Sequence, residues 1–304
     1  MGGRSIGSSQ IGVRLGHSGR VPRVVSDLHS HTTASDGELD PEDLVAGAAA
    51  AGVGVLAVTD HDTMSAAPAA MAAGERLGVR VIPGVELSVR VPHGSMHLLG
   101  YFRAPEPQPL ADRLEDLGRE REARIAAIVA RLTALGRPIS FDRVRARAKG
   151  RVGRPHVAAE LVAAGHVATR EAAFETLIGD GGPAWVPSAG LAPDEAVELV
   201  RASGGAAVLA HPASLALGAR HLAAFVHGLA ARGLAGIEVH RPDHTPEQRE
   251  AFARIARRLG LVAAGGSDFH RPDGRVRLGD TGVPPLPRDA GDRLLERSAT
   301  VSAQ

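Results

Sequence analysis

The feature that most constrains the fold is a rhythm: short apolar runs recur along the chain, and most end in or beside histidine or a carboxylate. Val24–Leu28 is followed by His29 and His31, Val53–Thr59 by Asp60, His61 and Asp62, and Val79–Val85 by Glu86. Ser95–Phe102 carries His97, Ala206–Ala210 runs into His211, Gly236–Val239 contains Glu238 and precedes His240, and Leu261–Ala264 leads to Asp268 and His270. Runs of this length read as buried parallel strands. Helical patterns fill most links between them. Asp40 and Pro41 supply an N-cap and a first-turn proline for one helix, closed by Gly52, and Pro193-Asp194-Glu195 opens another in similar style. Alternating strands and helices over such a length predict an α/β fold, doubly wound or barrel. In a parallel barrel every C-terminal strand end lies on one face, where such folds place their active sites. Residues remote in sequence would then converge.

One stretch breaks the alternation. From about residue 103 to residue 186 the pattern is helical throughout: a long amphipathic segment Leu110–Leu135 ended by Gly136, then shorter helices near Asp142–Lys149, Pro155–Ala164 and Thr169–Ile178. This predicts a barrel domain formed by 23–102 and 187–304, a helical insertion 103–186, and a disordered Gly/Ser/Arg-rich tail 1–22. Residues 103–154 hold thirteen basic and seven acidic side chains in a chain whose net charge is +1. The insertion can therefore attract an anion toward whatever it faces.

Composition narrows the chemistry. There is no cysteine, so any metal must be held by imidazole and carboxylate. One Trp, one Tyr, six Phe and the small net charge disfavour an extended nucleic-acid groove, which relies on aromatic platforms and strong basicity. No stretch has the form of a signal peptide or the length of a membrane span, which points to a cytoplasmic protein without membrane partners. Oligomeric state leaves no trace in the sequence. Of 35 basic residues only Lys149 is lysine.

His29-Ser30-His31 puts two imidazoles on the same side of an extended chain, because side chains alternate with period two. With 14 histidines in the chain such a pair carries little weight alone. The weight comes from conjunction: three His/Asp clusters plus Glu86, His97 and His211 share one position in the strand rhythm. Oxygen and nitrogen ligands without sulfur suit Mn, Fe or Zn, and a carboxylate such as Glu86 can bridge two ions. No glycine-rich phosphate loop is present.

Asp27-Leu28-His29-Ser30-His31, Ser35-Asp36-Gly37, Thr59-Asp60-His61-Asp62-Thr63, Gly84-Val85-Glu86, Ala210-His211-Pro212 and Gly266-Ser267-Asp268-Phe269-His270 together resemble the motif set of the PHP (polymerase and histidinol phosphatase) phosphoesterases. The resemblance spans roughly 24–284. The insertion, with Arg154-Pro155-His156, is similar to the branch containing nucleoside 3′,5′-bisphosphate phosphatases and a related 5′-3′ exoribonuclease. The resemblance implies a distorted seven-stranded β/α barrel of the PHP type, and two or three divalent ions. His29, His31, Glu86 and Asp268 would hold the first, Asp36, His61 and His270 the second, and Glu86, His97 and His211 the third. It also implies substrate contacts from Arg121, Arg124, Arg154 and His156, with Arg119 as a substitute for one of the first pair.

The expected reaction is hydrolysis of a phosphomonoester of a nucleotide, converting a nucleoside 3′,5′-bisphosphate to the 5′-monophosphate, by in-line attack of a water positioned by metal. Asp36, His61 and His270 are the candidate catalytic residues, and whichever of His61 and His270 is not fully engaged with metal would protonate the leaving oxygen. Asp27 and Asp62 are expected to orient ligand histidines. Rival readings are a 5′-3′ exoribonuclease acting on short RNA, a histidinol-phosphate phosphatase, an amidohydrolase, and a non-enzymatic metal-binding module. The substrate in the leading reading is a small anionic nucleotide or short oligonucleotide. Amidohydrolases typically need a bridging lysine at a strand end, whereas Lys149 lies in a helical basic run.

Overall fold

Every apolar run becomes a strand: β1 (Val25–Asp27), β2 (Val53–Val58), β3 (Arg80–Val89), β4 (Met96–Tyr101), β5 (Ala206–Leu209), β6 (Gly236–His240) and β7 (Val262–Gly265). The computed structural model describes residues 25–92, 94–188 and 190–299, and the expected tail 1–22 lies outside them. The strands form one sheet in chain order. Its two edges meet just beyond β1 and around the end of β7. There Leu28 N donates to Gly265 O (3.3 Å), Asp268 N to His29 O (2.8 Å) and His31 N to Phe269 O (2.9 Å). The result is a distorted seven-stranded β/α barrel whose seam is sewn largely by the loops that carry His29, His31 and Asp268.

β4 departs from the parallel expectation. It runs antiparallel to both β3 and β5, while the remaining pairs are parallel. The link between β3 and β4 spans only residues 90–95, too short for the crossover that a parallel partner requires. Reversal has a functional consequence. His97 is the second residue of β4, so an antiparallel strand delivers its starting end to the face where the other strands finish.

Helices α1 (Pro41–Ala50) and α2 (Ala67–Leu77) follow β1 and β2. Asp40 caps α1 by accepting from Asp43 N at 3.0 Å, as the Asp-Pro signal predicts. Between β4 and β5 come α3 (Leu110–Ala134), α4 (Phe141–Arg147), α5 (Arg154–Ala163) and α6 (Arg170–Ala173), the last passing directly into a wide turn over Phe174–Ile178. They are followed by α7 (Pro193–Ala202), and α8 (Ala219–Ala231), α9 (Pro246–Leu259) and α10 (Ala290–Ala299) complete the outer layer. Among the described residues no helix is long and apolar enough to cross a membrane.

The long helix α3 fixes the relation between the helical stretch and the barrel. Its first half gives Leu110, Leu114 and Leu117 to the barrel core, and its second half gives Ile125, Ile128 and Leu132 to a separate core shared with Val144, Val157, Leu161 and Ile178. A helix buried at both ends in different cores cannot rotate without exposing one of them. Residues 150–153 then pin the helices to the loop after β1, with Arg151 N donating to Ala34 O at 2.7 Å.

Candidate metal centre

Four ligand atoms converge at the seam. His29 Nε2 lies 3.3 Å from Glu86 Oε2 and 3.3 Å from Asp268 Oδ1, and His31 Nε2 lies 3.2 Å and 3.1 Å from the same two oxygens. For a tetrahedral ion with bonds of about 2.0 Å, neighbouring ligand atoms stand about 3.3 Å apart. Both imidazoles and Glu86 are almost wholly buried. His29 Nε2, His31 Nε2, His61 Nδ1 and Asp268 Oδ1 have no hydrogen-bond partner, although each is shut off from solvent. Three of these orphans, His29 Nε2, His31 Nε2 and Asp268 Oδ1, face one centre with Glu86 and fit a divalent cation, because burying unpaired polar atoms is otherwise costly.

Backbone geometry bends to build the site. Asp268 adopts φ +57°, His211 φ +23° and Asp62 φ +53°, all in the region that side-chain-bearing residues avoid. Gly266 is required where the seam closes, since a β-carbon there would stand 2.3 Å from His29 N.

Two further groups adjoin the first. Asp36 Oδ1 is 3.7 Å from His31 Nδ1 and 3.4 Å from His270 Nε2, and its Oδ2 is 3.6 Å from His61 Nε2. On the opposite oxygen of Glu86, His97 Nδ1 approaches Oε1 to 2.8 Å and His211 Nε2 to 2.9 Å. His61 Nδ1 also reaches Glu86 Oε2 at 3.2 Å. Glu86 is thus common to two of the three groups of ligand atoms: His29 and His31 gather with Asp268 at one of its oxygens, and His97 and His211 approach the other, while the group around Asp36 does not include it.

Electrostatics follow from this crowding. Burial opposes ionisation of Glu86, yet His97, His61 and His29 outweigh it and hold the carboxyl well below its ordinary range. Burial also opposes charge on His31, but Asp268 and Glu86 raise it to about 10. His61 goes the other way: burial, with Arg121 and His31 assisting, exceeds the pull of Asp36 and Glu86, leaving a neutral imidazole suited to metal.

Residues outside the cages set the tautomers. His29 Nδ1 faces Glu238 Oε1 at 3.1 Å, which leaves the Nε2 lone pair for the cage. His211 Nδ1 pairs with Ser214 Oγ at 2.9 Å, and His270 Nδ1 with the Asp268 carbonyl at 2.9 Å. Asp27 and Asp62 do not orient ligand imidazoles through their rings as expected. Among the described residues neither reaches an imidazole: Asp27 accepts from the backbone N–H groups of Ser267 (2.8 Å), Gly279 (2.9 Å) and His29 (3.4 Å), sewing the seam, and Asp62 accepts from Ser88 N and Oγ and from Arg121. His240 also leaves the site. A register shift between Glu238 and His240 breaks the alternation of β6, and His240 Nδ1 meets Pro284 O instead.

The helical residues divide. Arg121 enters the centre: its Nη1 donates to Asp62 Oδ2 (3.1 Å) and Ser88 Oγ (3.0 Å), and its Nη2 stands 3.9 Å from Asp36 Oδ2. Gly153 permits this approach, because a β-carbon there would lie 3.0 Å from Arg121 Nη2 and 3.3 Å from Asp36 Oδ2. Arg124 donates to Val186 O, and burial together with Arg154 and Arg121 lowers its pKa to about 9. Arg154 pairs with Asp180 Oδ1 at 2.7 Å and lies over the Phe174 ring. His156 Nδ1 accepts from Gly153 N at 3.0 Å. Arg119 does not substitute for its neighbours: it is 71 % exposed and paired with Asp116 on the outer face of α3.

Residues 27–164 match the model of the PHP domain. The chain is 38% identical over 259 residues to the 5′-3′ exoribonuclease Rnm of Salmonella typhimurium, covering 84% of this chain and 88% of that one. It is 34% identical over 266 residues to a 3′,5′-nucleoside bisphosphate phosphatase of Chromobacterium violaceum, covering 86% and 93%. A crystal structure from Bifidobacterium adolescentis, assigned as a metal-dependent phosphoesterase, superposes with a TM-score of 0.81 at 31% identity over 91% of this chain and 97% of that one. Identity of this extent, on a barrel whose buried orphan atoms close around cation-sized gaps, makes the chain a member of the PHP domain family, a metal-dependent phosphoesterase and hence a hydrolase.

Proposed function

We propose that the protein removes one phosphate from a nucleotide phosphorylated at both ends of its ribose, turning a nucleoside 3′,5′-bisphosphate into the 5′-monophosphate. The observation that carries this reading is Arg121 beside Asp36, with Arg124 and Arg154 close enough to act on one another's charge. Arg124 feels the charge of both Arg154 and Arg121, and such crowding of like charge favours a bound dianion. Because Nδ1 of His156 accepts from Gly153, its Nε2 carries hydrogen and can donate to the same phosphate. The relative in Chromobacterium violaceum named for this activity supports the substrate class.

His29, His31, Glu86 and Asp268 would hold one ion, Asp36, His61 and His270 a second, and Glu86, His97 and His211 a third, drawn from Mn, Fe or Zn. When bound, such ions activate a water and neutralise phosphoryl oxygens. The chain supplies the remainder. His270 is 30 % exposed, the most open imidazole of the centre, and where its Nε2 is not engaged by the second ion it is the residue from which a proton reaches the leaving oxygen. Asp36 steadies His270 Nε2 from 3.4 Å, and Arg121 holds the Asp62–Ser88 edge in place.

A second reading, a 5′-3′ exoribonuclease, is favoured by one specific feature. A cleft of about 310 Å³ is lined by Asp36 and His156 together with Arg147, Lys149 and Arg170. Arg147 and Arg170 are paired with Glu160 and Glu38, but Lys149 has no ionic or hydrogen-bond partner among the described residues. A free ammonium there would suit the next phosphate of a chain. Lys149 follows α4 rather than ending a strand, which counts against an amidohydrolase that relies on a bridging strand-end lysine. Phosphate release from metal-loaded protein, measured across nucleoside bisphosphates, nucleoside monophosphates, histidinol phosphate and 5′-phosphorylated trinucleotides, decides the matter. A preference for histidinol phosphate would overturn the nucleotide reading.

A further inference from the structure

Behind the first cage lies a buried cation that the catalytic reading does not use. Arg241 follows β6, is 5 % exposed, and spreads its guanidinium over three carboxylates. Nη1 reaches Glu238 Oε2 at 3.3 Å, Nη2 reaches Asp268 Oδ2 at 3.2 Å, and Nε and Nη2 engage Asp243 at 2.9 Å and 3.1 Å. Of the first two partners, Asp268 is a ligand residue of the first cage and Glu238 backs another, His29. Asp268 presents its other oxygen, the orphan Oδ1, to His29 and His31, and Glu238 presents its other oxygen to His29 Nδ1.

We propose that Arg241 is the positioning residue of the first metal cage: one guanidinium fixes which oxygen of Asp268 faces the ion and, through Glu238, which nitrogen of His29 does. The inference deepens the metal-dependent reading without depending on any substrate. Three geometric consequences support it. With Oδ2 occupied by Arg241, Asp268 can offer only one oxygen inward. With Oε2 of Glu238 also accepting from His211 N at 2.6 Å, the same unit reaches the loop of a third-cage ligand. And without the guanidinium, Glu238 and Asp268 would be two neighbouring carboxylates beside an already acidic hub, a arrangement that buried sites do not tolerate unpaired. Lysine cannot replace the fork, since a single ammonium does not span three carboxylates in fixed directions.

The test is metal affinity, read without catalysis. Chelator-stripped parent, Arg241→Lys, Arg241→Gln and Asp243→Asn are titrated with Zn²⁺ or Mn²⁺ against a chromophoric competitor, with folding checked by circular dichroism. Arg241→Gln should weaken the tightest equivalent by about 10- to 100-fold, the scale of lost outer-sphere support. Arg241→Lys should fall between it and the parent, and the remaining equivalents should stay within about twofold. Asp243 is 59 % exposed and touches no cage residue, so Asp243→Asn should fold and show a smaller shift in the same direction. A folded Arg241→Gln with parental affinity overturns the inference, as does equal weakening of every equivalent. Should Arg241→Gln fail to fold, an unchanged tightest site in Asp243→Asn overturns it. A parent that takes up no divalent ion would remove the metal centre itself, a different failure from either.

Discussion

Arg121 Nη2 stands 3.9 Å from Asp36 Oδ2, so a guanidinium from the inserted helix faces a carboxylate of the second cage across the gap that Gly153 leaves open. Basic helices and acidic barrel therefore meet at the reacting end of the site rather than on a distant surface. The three arginines differ in what they hold, and this separates their expected phenotypes.

Arg124 and Arg154 touch no cage residue, so their loss should act on the second phosphate alone. Removing one partner of a desolvated charge pair costs about 2–5 kcal/mol. On that scale, kcat/KM for a nucleoside 3′,5′-bisphosphate should fall about a hundredfold or more in Arg124→Ala and Arg154→Ala, while p-nitrophenyl phosphate is hydrolysed nearly as before. Arg121→Ala should lower both substrates, because Asp62 and Ser88 lose their partner. Steady-state kinetics on the two substrates checks this, and parallel losses in Arg154→Ala would assign it to the fold.

Glu86 places one oxygen 3.2 Å from His31 and the other 2.8 Å from His97. Glu86→Gln should therefore cost more than one metal equivalent per chain in elemental analysis, since at least two cages lose their shared anion. His31→Ala should abolish most turnover even in saturating Mn²⁺. Unchanged metal content in Glu86→Gln would remove the bridging role.

Lys149→Ala gives the sharpest separation of the two nucleotide readings. It should raise KM for a 5′-phosphorylated trinucleotide several-fold and leave a nucleoside bisphosphate unaffected, because on the exonuclease reading only the longer substrate would reach Lys149 in the cleft. Equal kinetics on both substrates would mean that the cleft carries no chain.

Much of the centre was legible in the sequence because parallel strands force their C-terminal ends onto one face, whatever the intervening length. His29, His31, His61, Glu86, His211, Asp268 and His270 needed only that rule. His97 obeyed it through a strand reversal that the short 90–95 link already implied. Arg119 was separable from Arg121 and Arg124 by spacing alone: Leu110, Leu114, Leu117, Arg121, Arg124 and Ile128 advance by threes and fours along one face of α3, and Arg119 lies off it. The Glu238–Arg241 pairing was not legible. It depends on a bulge in β6 that returns His240 outward, and nothing in Glu238-Val239-His240-Arg241 announces where the register slips. The orienting role given to Asp27 and Asp62 failed for a related reason: both sit beside ligands in sequence, but their carboxylates turn toward backbone and Arg121 instead.

Glu238 also yields a prediction about acid. Burial raises its pKa, but His29 and Arg241 lower it further, to about 2 against an ordinary value of 4.5. A carboxyl depressed in the folded state contributes stability that is fully present above its unfolded pKa and is lost as pH falls through the folded one. Metal-free parent should therefore unfold at a higher temperature than metal-free Glu238→Gln at about pH 5–6. That gap should shrink as pH falls from about 4.5 toward about 2, because the parent carboxyl then takes up the proton that the glutamine lacks. Thermal melts of both chelator-treated proteins across this range provide the measurement. A gap that stayed constant down to the lowest pH would mean that Glu238 gains nothing from being charged, and its hold on His29 would then be that of a neutral hydrogen-bond acceptor.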